Sequence, residues 1–209
     1  MTSRPTLIKL FLKPHIVTLA ALLGGCSQSL TLQIDSEVPI ALMQALPLTI
    51  AVYYDDALRD HSYIEDSKER ENWTISTGSS QVAMIDKVLT STFAKVVPLA
   101  QLPSANALID ADLIVAPSIK EMQFGTPEET FFDFYEAWIR YDIGMLAPDG
   151  TSLDNWEIVT YGKSTPTRFT SRTTGLNDAI ALALRDAGAK LATGLPKQPV
   201  INRLLNENR

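Results

Sequence analysis

Cysteine is almost absent from this chain. Cys26 is the only one in 209 residues, and histidine occurs twice, as His15 and His61. One cysteine cannot close an internal disulfide, and the Cys/His sets that hold zinc cannot be assembled. No H-E-x-x-H, P-loop or G-x-S-x-G pattern occurs. His61 alone, in an acidic stretch, supports no His-based triad and reads as a solvent-exposed loop residue. No apolar run reaches the roughly 20 residues of a transmembrane helix. Repeats, low-complexity tracts and heptads are also missing. Basic residues are in the minority, 18 Lys and Arg against 24 Asp and Glu. That balance argues against nucleic acid or anionic headgroups as ligands. No cofactor motif and no metal-ligand set is found, so neither is expected.

The N-terminus is where a pattern stands out. Arg4, Lys9 and Lys13 form a basic segment without an acidic residue, Ile16 to Leu23 is apolar, and small residues lead to Cys26. That order is the signature of a secretory signal. Leu23-Gly24-Gly25-Cys26 resembles the lipobox of bacterial lipoproteins, with Gly24 departing from the usual Ala or Ser. The resemblance implies removal of residues 1–25 and acyl chains on Cys26, as a thioether-linked diacylglycerol and an amide-linked chain. Ser27, rather than Asp, implies the outer membrane, with the domain on its periplasmic face. Two or more acyl chains are what stable anchoring requires. Losing three basic residues takes the net charge from −6 to −9.

Residues 26–47 read as a lipidated tether, broken by Pro39 and Pro47. Leu30, Leu32 and Ile34 alternate with polar residues, as in a short strand. Residues 48–209 suit one globular domain. Leu48 to Tyr54 alternates as a strand. Asp55 to Glu71 is rich in charge but has no EF-hand spacing, so it reads as a solvated loop. Trp73, Ile75 and Thr77 suggest a second short strand. Ser79 or Ser80 is placed to cap a helix, and Val82, Ile85, Val88, Leu89, Phe93 and Val96 form its apolar face until Pro98. Ala111 to Phe124 reads as a buried strand bent at Pro117.

A long hairpin follows, turning at Pro148-Asp149-Gly150. Matching its apolar faces puts Ile139 opposite Ile158 and Arg140 opposite Glu157. A three-residue loop gives a register one residue away, which would flip every side chain, so a β-bulge or a sheet covered on both faces is required. Leu176, Ile180, Leu184, Ala187 and Leu191 mark a second amphipathic helix, with Gly194 at its C′ position and Pro196 beyond. Pro199 opens a short last helix. The expected fold class is α/β (α+β): one mixed sheet of four to five strands, two long amphipathic helices on one face and a short C-terminal helix.

Phe131-Phe132-Asp133-Phe134-Tyr135 is the densest aromatic cluster. Adjacent strand residues alternate faces. The parity of Ala137, Ile139 and Tyr141 puts Phe131 and Tyr135 in the core and Phe132, Phe134 and Trp138 on one outward stripe. These three are the candidate partner surface, unless the tether or C-terminal helix covers them. Paired carboxylates can hydrolyse glycosides, but Asp55/Asp56 and Asp110/Asp112 show no feature that separates them from ordinary strand-end residues.

The order strand, helix, strand, hairpin, helix resembles the small α/β domain of auxiliary outer-membrane lipoproteins. These include the curli-secretion, exopolysaccharide-export and peptidoglycan-synthase-activator types. The matching pieces are Thr49-Ile50-Ala51-Val52, Val96-Val97, Asp112-Leu113-Ile114-Val115, the Pro148-Asp149-Gly150 hairpin and Gly162. The resemblance implies a non-enzymatic role in envelope assembly or export, with an envelope protein as partner and the membrane reached through Cys26. A lipid- or glycan-binding carrier is the alternative and would need a deep apolar pocket. A cell-wall hydrolase is the second, and would need converging carboxylates.

Overall fold

A computed structural model describes residues 28–31, 44–65, 72–104, 107, 109–130, 132–166 and 171–207. The lipobox with Cys26, most of the tether, Phe131 and the charged run 66–71 lie outside the described residues.

Five strands make the main sheet, in the order β5-β2-β6-β7-β8. β2 (Leu46–Tyr53) has β5 (Phe93–Leu99) and β6 (Leu113–Gly125) as parallel neighbours. β6, β7 (Tyr135–Leu146) and β8 (Ser152–Ser164) form an antiparallel meander. Two long helices, α2 (Gly78–Thr92) and α4 (Arg172–Gly194), with the one-turn α3 (Pro127–Thr130) between them in sequence, pack on one face and touch each other. Burial on that face is what joins the elements. Ile50, Leu113, Val115, Ile139, Tyr141 and Ile143 meet Met84, Ile85, Leu176, Ile180 and Leu184 in one core cluster. The mixed sheet with two long helices and a short C-terminal helix, α5 (Pro199–Glu207), is as expected.

A second sheet is an addition. β1 (Gln28–Thr31), β4 (Trp73–Ser76) and β3 (Ser62–Glu65) form three strands in the order β1-β4-β3. The tether therefore contributes a strand of its own. This sheet packs against the core face of the main one. The Phe124 ring stands edge-on to Tyr63 at 5.3 Å and to Trp73 at 5.9 Å.

Four local expectations are corrected. α2 ends at Thr92, so Phe93 and Val96 belong to β5, not to the helix. Phe93 is already extended at φ −118°, ψ 150°, and the Val96-Val97 pair favours a strand. Pro98 does not stop a helix but sits on a rim strand, where no second neighbour needs its missing N–H. Neither Ser79 nor Ser80 caps α2; Thr77 occupies the N-cap, and its side chain makes no cap bond. Gly194 is not left-handed, at φ −97°. It is small because the Trp156 ring lies against it.

The hairpin contains a bulge. Leu146 pairs with Ser152, but Met145 pairs with Asp154, leaving Leu153 over. Beyond it Tyr141 stands opposite Ile158, and Ile139 opposite Thr160 rather than Ile158. The shift from the apolar-face register is two residues, so each side chain keeps its expected face.

Candidate functional site

The outer face of the meander carries the aromatic residues. Trp138 pairs with Tyr161 across β7 and β8, and their rings lie 5.3 Å apart. Tyr161 donates from its hydroxyl to Glu136 at 3.2 Å. Partial desolvation, then the bond to Glu136 and its charge, raise the phenol above its ordinary pKa. Val159 continues the row and is half exposed. Beside it lies a shallow, open recess of about 290 Å³, lined by Glu121, Gln123, Trp138, Arg140 and Val159. Arg140 and Glu121 form an ion pair across it.

Phe132 and Phe134 lie just before β7, in a bend rather than on the strand. They do not extend the Trp138 stripe as single rungs. Instead they stack on each other, 5.2 Å between centroids and 6° from parallel. The Lys163 ammonium sits 3.7 Å over the Phe134 ring, a cation–π contact. Phe132 stays 58% exposed, so no described segment covers it, while Tyr135 is buried as its parity requires. The single stripe thus resolves into two clusters, Phe132/Phe134/Lys163 and Trp138/Tyr161/Glu136, which meet at the Glu136–Lys163 rung. Tyr161 and the recess were missed because they depend on which residues of β8 face β7, and the Leu153 bulge sets that.

The other polar candidates are absorbed by the fold. Asp55 caps α1 (Asp56–Arg59) by accepting from the Leu58 N–H at 2.7 Å. Asp56 pairs with Arg59 at 3.5 Å. Asp112 accepts from the Thr49 N–H at 2.7 Å and fixes the start of β6 against β2. No two of these converge on a cleft as a hydrolase would need. His61 is half-buried, contrary to its reading as a solvent residue. Its Nδ1 lies 2.8 Å from the Thr77 hydroxyl, which also accepts from Gln81 Nε2 at 2.6 Å. Burial lowers the imidazole pKa. Among the described residues no three His, Cys, Asp or Glu side chains are grouped to hold a metal ion. No helix of the described residues is long and apolar enough to cross a membrane.

No family model and no curated protein matches this chain. Solved structures do. A Xanthomonas campestris protein of family DUF330 is 10% identical, with a TM-score of 0.56 over 88% of this chain and 100% of that one. A minor lipoprotein from Acinetobacter baumannii is 8% identical, with a TM-score of 0.41 over 77% and 96%. A proposed lipoprotein from Caulobacter crescentus is 13% identical, with a TM-score of 0.36 over 72% and 93%. The Xanthomonas likeness establishes a shared fold and no more, and the other two are too distant to support a functional argument.

Proposed function

We propose that this chain is an outer-membrane lipoprotein, held on the periplasmic face through acyl chains on Cys26. It acts there as a non-enzymatic auxiliary factor in envelope assembly or export by docking a partner protein. Phe132, Phe134 and Trp138 supply the docking surface. The observation that carries this reading is the Phe132/Phe134 stack, which leaves a large apolar ring in solvent beside a cation. Exposed aromatics of this kind are enriched among binding hot spots. A second reading has one observation behind it. The recess is lined by a carboxylate, an amide, a guanidinium and an indole, chemistry that suits a neutral sugar ring.

The test uses full-length protein in its own envelopes. Cross-linking pulldown is compared for wild type and the double variant Phe132→Ala, Phe134→Ala. Recovery of one defined partner should fall while the thermal midpoint barely moves, because Phe132 is exposed. Unchanged recovery refutes the surface. Intact mass of membrane-extracted protein should show an acylated N-terminus at Cys26.

A further inference from the structure

The small sheet begins very close to the anchor. Gln28 is the first residue of β1 and stands opposite Trp73. Only two residue steps separate it from Cys26, and two extended residues reach at most about 7 Å. Anchorage at Cys26 would therefore hold the first strand within that reach of the lipid. The chain is hydrogen-bonded into the domain almost as soon as it leaves the acylated residue.

The sheet that starts there has an unusual outer face. Tyr63, Trp73 and Ile75 turn toward the core, and Glu65 shares their face, accepting from the Tyr63 hydroxyl at 2.6 Å. Ser62, Ile64, Thr74 and Ser76 alternate to the other side. The Ser62 and Ser76 hydroxyls are 3.3 Å apart. β1 adds Ser29 and Thr31 at the register positions of Thr74 and Ser76. None of Ser62, Ile64, Thr74 and Ser76 is charged, in a chain of net charge −9 once residues 1–25 are gone. Ile64, at 68%, is the most exposed of the large hydrophobic residues among those described. It stands two strand spacings, about 10 Å, from β1.

We infer that the outer face of β1-β4-β3 lies against the phospholipid surface, with Ile64 entering the interfacial layer. The inference rests on anchorage at Cys26. Three observations support one occupant. The covalent reach fixes the β1 edge at the bilayer. An uncharged, hydroxyl-rich face can meet headgroups without the like-charge repulsion that an acidic surface would suffer against anionic lipid. The most exposed hydrophobe sits on that face, where shallow burial of an apolar side chain is favourable. The small sheet covers the core face of the main sheet through Phe124, so this placement turns the opposite, aromatic face away from the lipid.

The experiment reads depth in the full-length, acylated protein, reconstituted in vesicles of phosphatidylethanolamine and phosphatidylglycerol. A polarity-sensitive fluorophore is attached at Ile64→Cys, and separately at Asn155→Cys, which is exposed on the opposite face near the hairpin turn. Acylated Cys26 is closed to the label. The probe at position 64 should shift to the blue and be quenched by brominated lipid, while the probe at 155 keeps its aqueous spectrum. Aqueous spectra at both positions, with an acylated N-terminus confirmed by intact mass, overturn the inference and leave the anchor standing. A soluble protein with unmodified Cys26 overturns both.

Discussion

Asp186 on α4 accepts the main-chain N–H of Tyr161 on β8 at 3.1 Å. Its ion-pair partner Lys190, 2.7 Å away, donates to the Val159 carbonyl at 2.7 Å. β8 is a rim strand, and rim strands offer unpaired backbone groups to other chains. Here two side chains one helical turn apart take the places a ninth strand would fill. The double variant Asp186→Ala, Lys190→Ala should lose only about 0.5–1 kcal/mol, since both side chains are partly exposed. Self-association should rise nonetheless, as light scattering over a concentration series would show. A monodisperse variant would refute the sealing role.

Gly162 lets α4 approach that same rim. A Cβ added there would fall inside the contact distance of the Ala179 carbonyl oxygen and the Ala183 nitrogen. Both are helix backbone and cannot move as a flexible side chain would. Gly162→Ala should therefore destabilise at the upper end of the about 1–3 kcal/mol seen for overpacking. Urea unfolding measures it, and a near-neutral result would mean α4 can lift from β8 without loss.

Two buried tyrosines should answer differently to loss of the hydroxyl. Tyr54 donates to Asp86 at 2.6 Å, tying the end of β2 to α2. Tyr141 is buried with no hydrogen-bond partner for its hydroxyl among the described residues. Burial pushes both phenols far above their ordinary pKa, with Asp86 adding to the effect at Tyr54. Tyr54→Phe should cost about 1–2 kcal/mol. Tyr141→Phe should be neutral or stabilising by up to about 1 kcal/mol, because an unmet polar group leaves the core. Equal losses in thermal unfolding would contradict this assignment.

His61 should give the domain a pH dependence. Its folded-state pKa is lowered by burial, so the unfolded chain takes up a proton first. Stability is complete above the ordinary imidazole value near about 6.5. It should fall as pH drops below that value and level off once the folded-state pKa is passed. Denaturant titrations across that window should show the decline in wild type and lose it in His61→Asn. A decline that persists in the variant would assign it to carboxylates instead.

Strands and helices with one buried face were legible because period-two and helical spacings are local properties of the chain. Boundaries and registers were less so. Thr92 and Phe93 are both compatible with continuing a helix, and only the place beside β2 decides for a strand at Phe93. The Leu153 bulge is invisible in composition, yet it chooses between Ile158 and Thr160 as the neighbour of Ile139. Phe132 is exposed and Phe134 half-buried, in a bend that strand parity does not reach. Their mutual stacking was not legible, because it follows from a bend that strand alternation does not describe. The partner of His61, Thr77, is distant from it in sequence and meets it because β3 and β4 pair, with Ser62 opposite Ser76; Gln81 reaches Thr77 in turn. No spacing rule marks such a site.

The strand order has a consequence for the path by which the molecule forms. β6, β7, β8 and α4 follow one another in sequence and touch as neighbours, so their loops close cheaply. β2 gains its second neighbour only when residues 113–115 arrive from across the chain, and such non-local closure is slow. The C-terminal half is thus the natural nucleus, and the N-terminal half docks onto it. If the chain is exported as proposed, the segment beside Cys26 crosses the membrane early and finds its partners late. In pulsed hydrogen exchange, amides of β7 and α4 should gain protection before those of β2.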